Sequence, residues 1–593
     1  MCGIAGLVMA PSAAAPDASV LAALSRALRH RGPDGAGHSV VGRVALVHTR
    51  LAIIDVAGGD QPLFAGPAAL VANGEVYNYR ELRDGLPEAR FATGSDCEPA
   101  LHLWLRDGPG YAQALRGMYA IAIHERVQRS LTLTRDPFGI KPLYTAQIEG
   151  GLAFASEPQA LLAAGLVGRG VRAAARDELL QMQFTTGRAT IFPGIDRVLP
   201  GESIRVADGH VLDRTRLAAL PEGGAEGGPE AISEEAALER LDGALMRSVD
   251  LHQRSDVPYG MFLSGGVDSS AILAAMARLG GERVLAFTAG FDASGAPRAA
   301  DERAHAAVVA AAAGARHESI EINEAMVWRH LPEIVACMDD PAADYAIIPS
   351  WFLAQRARPD VKVVLCGEGG DEVFAGYGRY RSAMRPWWQG GRVMRSRGIF
   401  DQLDVLRETP LAWRDGLAAA EAQAALPGRT RLAVAQATDM ADWLPHDLLL
   451  KLDRCLMAHG VEGRTPFLDA GVAAAAFRLP DGLKVRGGRG KYLLRRWLER
   501  AMPESRPFAP KQGFTVPIGA WIDRQGARLG PLVAASPGVA EIARPDRVAA
   551  LFRHADGKRE GHAAWTLLFY ALWHRAHVQG LAAGGDVFES LAG

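Results

Sequence analysis

The sequence predicts a two-domain protein of mixed α/β and α+β class, and three observations carry that expectation. The chain has 593 residues, too many for one hydrophobic core. From residue 257 onward, short apolar runs alternate with stretches of helical spacing, whereas short strands and turns mark the first third. Between them, Pro221 to Glu230 is rich in Gly, Pro and Glu and breaks every periodicity, the composition of a flexible linker. The expected division is residues 1–214, a linker at 215–232, and residues 233–593.

Composition excludes several classes. A formal net charge of −2 leaves no basic footprint for nucleic acid or for a membrane surface. Cys2, Cys97, Cys337, Cys366 and Cys455 are scattered without a Cys-x-x-Cys pair, so neither a zinc site nor a disulfide framework is suggested. No apolar run approaches the roughly 18 residues of a membrane span, and the first residues lack the basic region of a signal peptide. A soluble, cytoplasmic protein is expected.

Ile4 to Met9 reads as an apolar strand that would fix Cys2 in place. Removal of Met1 would give Cys2 a free α-amine, placing a nucleophile and a general base in one residue. Arg29 to Gly35 is a Gly-Pro turn with two arginines, and His48 to Asp55 reads as a strand with Arg50 near its start. Ala72 to Asn78 is a strand end carrying the pair Asn73-Gly74, ordinarily a turn signal. Thr93 to Glu98 is an acidic loop.

Together with Thr134 to Tyr144 and Phe154 to Glu157, these segments resemble the class II glutamine amidotransferase domain over about the first 200 residues. That resemblance implies an N-terminal-nucleophile hydrolase fold, an αββα sandwich. It implies Cys2 as the nucleophile that attacks the glutamine amide, with Asn73 and the Gly74 N–H as the oxyanion hole. It also implies a glutamine site of Arg50, Leu51, Ala52, Ile53, Ile54, Asn73, Gly74, Glu75 and Asp96. Arg50 would fork the α-carboxylate, and Glu75 and Asp96 would take the α-ammonium.

After a hairpin around Asp208-Gly209 and the linker, Ile232 to Val249 shows helical spacing. Val257 to Leu263 reads as a strand and Ala271 to Leu279 as a helix. The turn between them, Ser264-Gly265-Gly266-Val267-Asp268-Ser269, aims N–H groups and two hydroxyls at a helix N-terminus, which favours an anion. Asp268 would repel phosphate unless a metal lay between. This string resembles the pyrophosphate loop of ATP pyrophosphatases. Strands at Arg283–Gly290, His317–Ile322 and Val361–Leu365 alternate with helices at Asp301–Ala313, Glu324–Cys337 and Ile348–Arg356. They predict a mostly parallel sheet with helical extensions and ligands at the strands' carboxyl ends. The next such end, Cys366 to Tyr377, packs Glu368, Asp371 and Glu372 among glycines, an unfavourable turn without cations. Asp268 and Asp371 on adjacent strand ends could share Mg²⁺ ions bridging the phosphates of ATP.

This second loop, with Trp443 to Arg454 and His459 to Asp469, resembles the glutamine-hydrolysing asparagine synthetases. The resemblance implies ATP, L-aspartate and L-glutamine as substrates, with Leu263, Ser264, Gly265, Gly266, Asp268, Ser269, Ala289, Cys366 and Gly367 at the ATP site. Glu368 and Lys491 would act in forming a β-aspartyl-AMP intermediate, and ammonia would cross from Cys2 through an internal channel. Cys366, Ala289, Gly463 and Thr465 depart from the usual residues. Relatives of the same build amidate or cyclise other carboxylates, and a silent glutamine and ATP sensor is a further alternative. A homodimer is the expectation from symmetry alone. The helix around Trp565 to Trp573 reads as core, the last of the chain.

Overall fold

The computed structural model describes residues 2–221, 229–280, 283–292, 302–391, 393–510 and 516–593. Met1, residues 222–228 of the expected linker, the Arg283–Gly290 strand's neighbours 281–282, and Asp301 lie outside the described residues.

Twelve strands occupy the first 216 residues: β1 (Gly3–Met9), β2 (Gly35–Val41), β3 (Val44–Arg50), β4 (Leu63–Ala65), β5 (Ala68–Val76), β6 (Gly117–Glu125), β7 (Ser130–Arg135), β8 (Tyr144–Ile148), β9 (Gly151–Ala155), β10 (Ile195–Arg197), β11 (Glu202–Ala207) and β12 (His210–Arg216). They form two six-stranded sheets, ordered β10-β8-β9-β1-β3-β2 and β12-β11-β7-β6-β5-β4. Period-two alternation decides which face goes where. On β1, Ile4 and Val8 turn into the core between the sheets with Leu46, Val71, Leu133 and Phe154. Ala5 and Leu7 turn outward onto the helices Ala18–Ala27 and Pro158–Ala163. The helix Glu98–Asp107 covers the other sheet through Leu101 and Trp104. The expected αββα sandwich is present.

Two local readings are corrected. The strand expected from His48 to Asp55 ends at Arg50, its last residue rather than its start. Beyond it the Arg50 guanidinium donates to the carbonyls of Asp55 (2.6 Å) and Val56 (3.1 Å), and that curls the chain off the sheet. Asn73-Gly74 makes no turn. Both residues lie within β5, opposite Ala120 and Tyr119 of β6, because pairing along the whole strand overrides the local turn preference.

The helix Glu234–His252 opens the remainder of the chain, capped by Ser233. A third sheet follows, of β13 (Tyr259–Phe262), β14 (Leu285–Phe291), β15 (Arg316–Ile322), β16 (Val363–Leu365) and β17 (Glu462–Arg464). Its order is β15-β14-β13-β16-β17 and every pairing is parallel. Sheet order reverses direction around β13, which puts the ends of β13 and β16 side by side at a crevice. The helix after β13 runs Val267–Leu279, four residues earlier than its apolar spacing indicated, because extended Gly266 lets Val267 to Ser270 form the first turn. Trp565 to Trp573 lies in the helix Lys558–His577 and is fully buried as core. It is not the last helix: Val587–Ala592 follows, started by a capping box of Asp586 and Glu589.

Candidate functional site

Strand β1 delivers Cys2 to a buried position at its own start, where the Cys2 N–H donates to Asn73 Oδ1 at 3.2 Å. Burial pushes the thiol up, the Leu51 N–H lowers it, and nearby Glu75 and Glu462 add to the rise. Asn73 is held within β5, so its amide direction is fixed by the sheet. Its Nδ2 is buried with no hydrogen-bond partner, an unspent donor beside a thiol, as an oxyanion hole requires. A side chain at Gly74 would meet the Met118 carbonyl at 2.1 Å, so the N–H there is presented by bare backbone.

Of the remaining residues expected at glutamine, Leu51 and Glu75 act on the same thiol. Leu51, Ala52, Ile53 and Ile54 are buried just beyond β3, and Ala52 donates to Asp34. Arg50 is anchored to Asp60 at 2.8 Å as well as to the carbonyls it wraps. Asp96 accepts from the Val76 N–H at 2.7 Å, and burial raises it to about 6. Glu75 is raised well above the carboxylate range by burial, then by Glu462 and Asp96. Its cationic neighbour is Arg464 of β17, at 3.3 Å. Cys97 is also buried here, its thiol raised by burial and by Asp96.

The second site lies at the β13 and β16 ends. Gly265 holds φ +72 in the first loop, a left-handed turn that suits glycine. Ser264 and Ser269 hydroxyls meet at 3.1 Å. Lys491 Nζ bonds Asp268 and lies 2.7 Å from Asp371 Oδ1, with Lys491 itself buried. Burial would lower this ammonium, but the two carboxylates raise it. The acidic loop is not an open turn: Gly370–Val373 makes one helical turn, entered through left-handed Gly369. A cavity of about 290 Å³ separates the loops. Leu263, Ala289, Cys366, Gly367 and Glu368 line it together with Tyr377 and Lys451. Burial raises Glu368, with Lys451 opposing. A neighbouring cavity of about 560 Å³ is lined by Gly265, Gly266, Lys491 and Arg495.

Because Asp268 and Asp371 converge on one ammonium, they stand close enough to share a divalent cation. Among the described residues no group of three or more His, Cys, Asp or Glu could hold a metal. Two carboxylates completed by phosphate oxygens is the set Mg²⁺ accepts.

Sequence reasoning missed the residues that connect the sites. Arg464 donates from its side chain to Glu462 at 2.6 Å and faces Glu75, while its carbonyl accepts from the Cys366 N–H at 2.8 Å. Arg31 binds Glu157 and Asp453, and Arg197 with Tyr144 binds Asp340. Arg464 and Asp453 sit inside motifs visible in the chain, but nothing local marks an arginine that serves a distant site. Lys451 lies within the Trp443 to Arg454 stretch, and the sequence reading gives it no role of its own. None of the helices among the described residues is long and apolar enough to cross a membrane.

The asparagine synthase family matches residues 240–575, and a glutamine amidotransferase domain matches residues 1–216. The chain is similar to the putative glutamine-hydrolyzing asparagine synthetase of Mycobacterium tuberculosis, 36% identical over 98% of each chain. It is 32% identical to asparagine synthetase 1 of Bacillus subtilis, covering 98% of this chain and 97% of that one. Asparagine synthetase B of Escherichia coli is 28% identical over 84% of this chain and 79% of its own. Among solved structures, glutamine phosphoribosylpyrophosphate amidotransferase from B. subtilis matches 54% of this chain and 65% of its own, at 19% identity and a TM-score of 0.28.

Proposed function

This chain belongs to the asparagine synthase family, and from that premise we propose that it makes asparagine from aspartate, ATP and glutamine. In the synthase half, a side-chain carboxylate oxygen of aspartate attacks the α-phosphorus of ATP. The bond to pyrophosphate breaks and β-aspartyl-AMP forms. In the amidotransferase half, the Cys2 sulfur attacks the glutamine amide carbon, ammonia leaves, and water hydrolyses the thioester to glutamate. Ammonia then attacks the acyl carbon, AMP leaves, and the surplus proton passes to solvent or a nearby base.

Asn73 Nδ2 and the Gly74 N–H would receive the oxyanion, with Arg50, Glu75 and Asp96 around the glutamine head. Ser264 to Ser269 would hold the phosphates. Lys491 would offset charge on the α-phosphate and the departing pyrophosphate. Asp268 and Asp371 would hold Mg²⁺, which supplies Lewis-acid neutralisation of the phosphate charge when bound. Glu368 would face the reacting carboxylate. The domain boundary falls within 215–232, and the protein works in the cytoplasm.

The observation that carries this reading is the run Glu75–Arg464–Cys366, which joins the thiol's surroundings directly to the ATP loop. Ammonia released into water at neutral pH would be protonated and lose its nucleophilicity, so two such sites need an enclosed connection. The test is pyrophosphate release from Mg²⁺-ATP and glutamine across a panel of carboxylic acids, with product mass checked. Turnover with L-aspartate and asparagine by mass supports it. Silence with aspartate but turnover with another acid would reassign the acceptor. Cys2→Ala should lose glutamine-dependent synthesis and keep ammonia-dependent synthesis; loss of both would refute the two-site scheme.

A further inference from the structure

The cavity between the two loops carries more charged groups than the ATP chemistry uses. Of its charged lining residues, Asp268 and Asp371 are engaged with Lys491, and Glu368 follows the ATP loop directly. That leaves Glu372 and Lys451. Glu372 is 1% exposed; Tyr377 donates to its Oε1 at 2.8 Å, and its Oε2 is buried with no hydrogen-bond partner. Lys451 is the single cation among the described residues lining the cavity. It gives one hydrogen bond to Asp344, 2.8 Å away, and an ammonium has three to give. Ala346, Pro349, Leu353 and Leu448, with Ser350, line the cavity beside Lys451.

A buried carboxylate oxygen without a donor is costly unless a ligand supplies one. An α-amino dicarboxylic acid brings an ammonium, a carboxylate and a second, reacting carboxylate. The first two complement Glu372 and Lys451, and the third is then left for the phosphate loop.

Resting on the reading of the acceptor as aspartate, we infer that Glu372 binds the acceptor's α-ammonium and Lys451 its α-carboxylate. Tyr377 is the positioning residue that fixes which oxygen of Glu372 is offered. This pair sets selectivity for an α-amino acid over a plain dicarboxylate.

The test is calorimetric binding of L-aspartate and of succinate, which lacks only the amino group, to the full-length enzyme with Mg²⁺ and a non-hydrolysable ATP analogue. Glu372→Gln should weaken aspartate by about 30-fold, the loss of one charged hydrogen bond, and leave succinate within about threefold. Tyr377→Phe, which keeps the carboxylate, should shift the ratio the same way by about threefold. Equal weakening of both ligands, or an unchanged ratio in both variants, would overturn the assignment alone. Wild-type enzyme that binds succinate as tightly as aspartate would overturn it too. Wild-type enzyme that binds neither would overturn the assignment and the asparagine reading together.

Discussion

Arg464 Nη2 stands 3.3 Å from Glu75 Oε2, so a residue of the parallel sheet supplies the countercharge for a carboxylate beside Cys2. Arg464 also binds Glu462; burial would raise that carboxyl, but Arg464 and Lys141 hold it down to about 2. Arg464→Met would strand the buried Glu462 carboxylate and leave Glu75 without its cationic neighbour. Breaking a buried pair in this way costs about 3–5 kcal/mol, so the first thermal transition should fall clearly, and asparagine formed per glutamine hydrolysed should drop. An unchanged transition in calorimetry would show that Arg464 is not the countercharge.

Asn73→Ala removes the unspent donor at the thiol. By comparison with other acyl-transfer sites, glutaminase kcat should fall about 10²- to 10³-fold. Ammonia-dependent synthesis should persist, since the other site is untouched. Steady-state rates with the two nitrogen donors measure this directly.

Lys491 holds two aspartates that would otherwise repel each other. Lys491→Met should abolish pyrophosphate release with either nitrogen donor. It should also lower the unfolding temperature in the absence of metal, with millimolar Mg²⁺ restoring more of it than in the wild type. Gly376→Ala tests the same trio sterically, because a Cβ there would lie 1.8 Å from Asp371 Oδ1 and 2.2 Å from Lys491 Cε. Its pyrophosphate release should fall while its glutaminase rate stays.

Four buried histidines make the fold acid-sensitive. Burial lowers His48 to about 3, and His252, His446 and His577 to about 4. Between those values and about 6.5 the unfolded chain binds protons that the folded chain does not. The histidines' contribution to stability therefore rises with pH through that window and is lost as pH falls below about 6.5. Each contributes about 1 kcal/mol of loss by pH 5.5. Raised carboxyls such as Glu372 and Asp96 act in the opposite sense over the same range, so the check is a difference: in calorimetric scans from pH 7.5 to 5.5, His252→Gln should lose less stability than the wild type by about 1 kcal/mol.

Much of this was legible in the chain. The two glycine loops follow from short strings whose backbone requirements are local. Arg50's place at a strand end was not, since it depends on which carbonyls its own guanidinium captures. Asn73-Gly74 lies in a strand, as the strand-end reading has it, although the dipeptide prefers a turn in isolation and only pairing with β6 keeps it extended. Lys451 and Arg464 acquire meaning from partners about a hundred to four hundred residues away, and no short window on the sequence contains both halves of such a contact.

Arg31 pairs with Asp453 at 2.7 and 3.0 Å, Arg116 with Asp469 at 2.6 and 2.7 Å, and Arg197 with Asp340 twice at 2.7 Å. In each pair the arginine comes from the two antiparallel sheets' part of the chain and the aspartate from the rest. For anyone building chimeras, these forks behave as a matched set of keys. A transplanted amidotransferase half would bring its arginines to foreign partners, and each mismatch would bury an uncompensated charge. Shuffling between relatives should succeed only when both sides of the seam are exchanged together, which makes the seam the unit of inheritance.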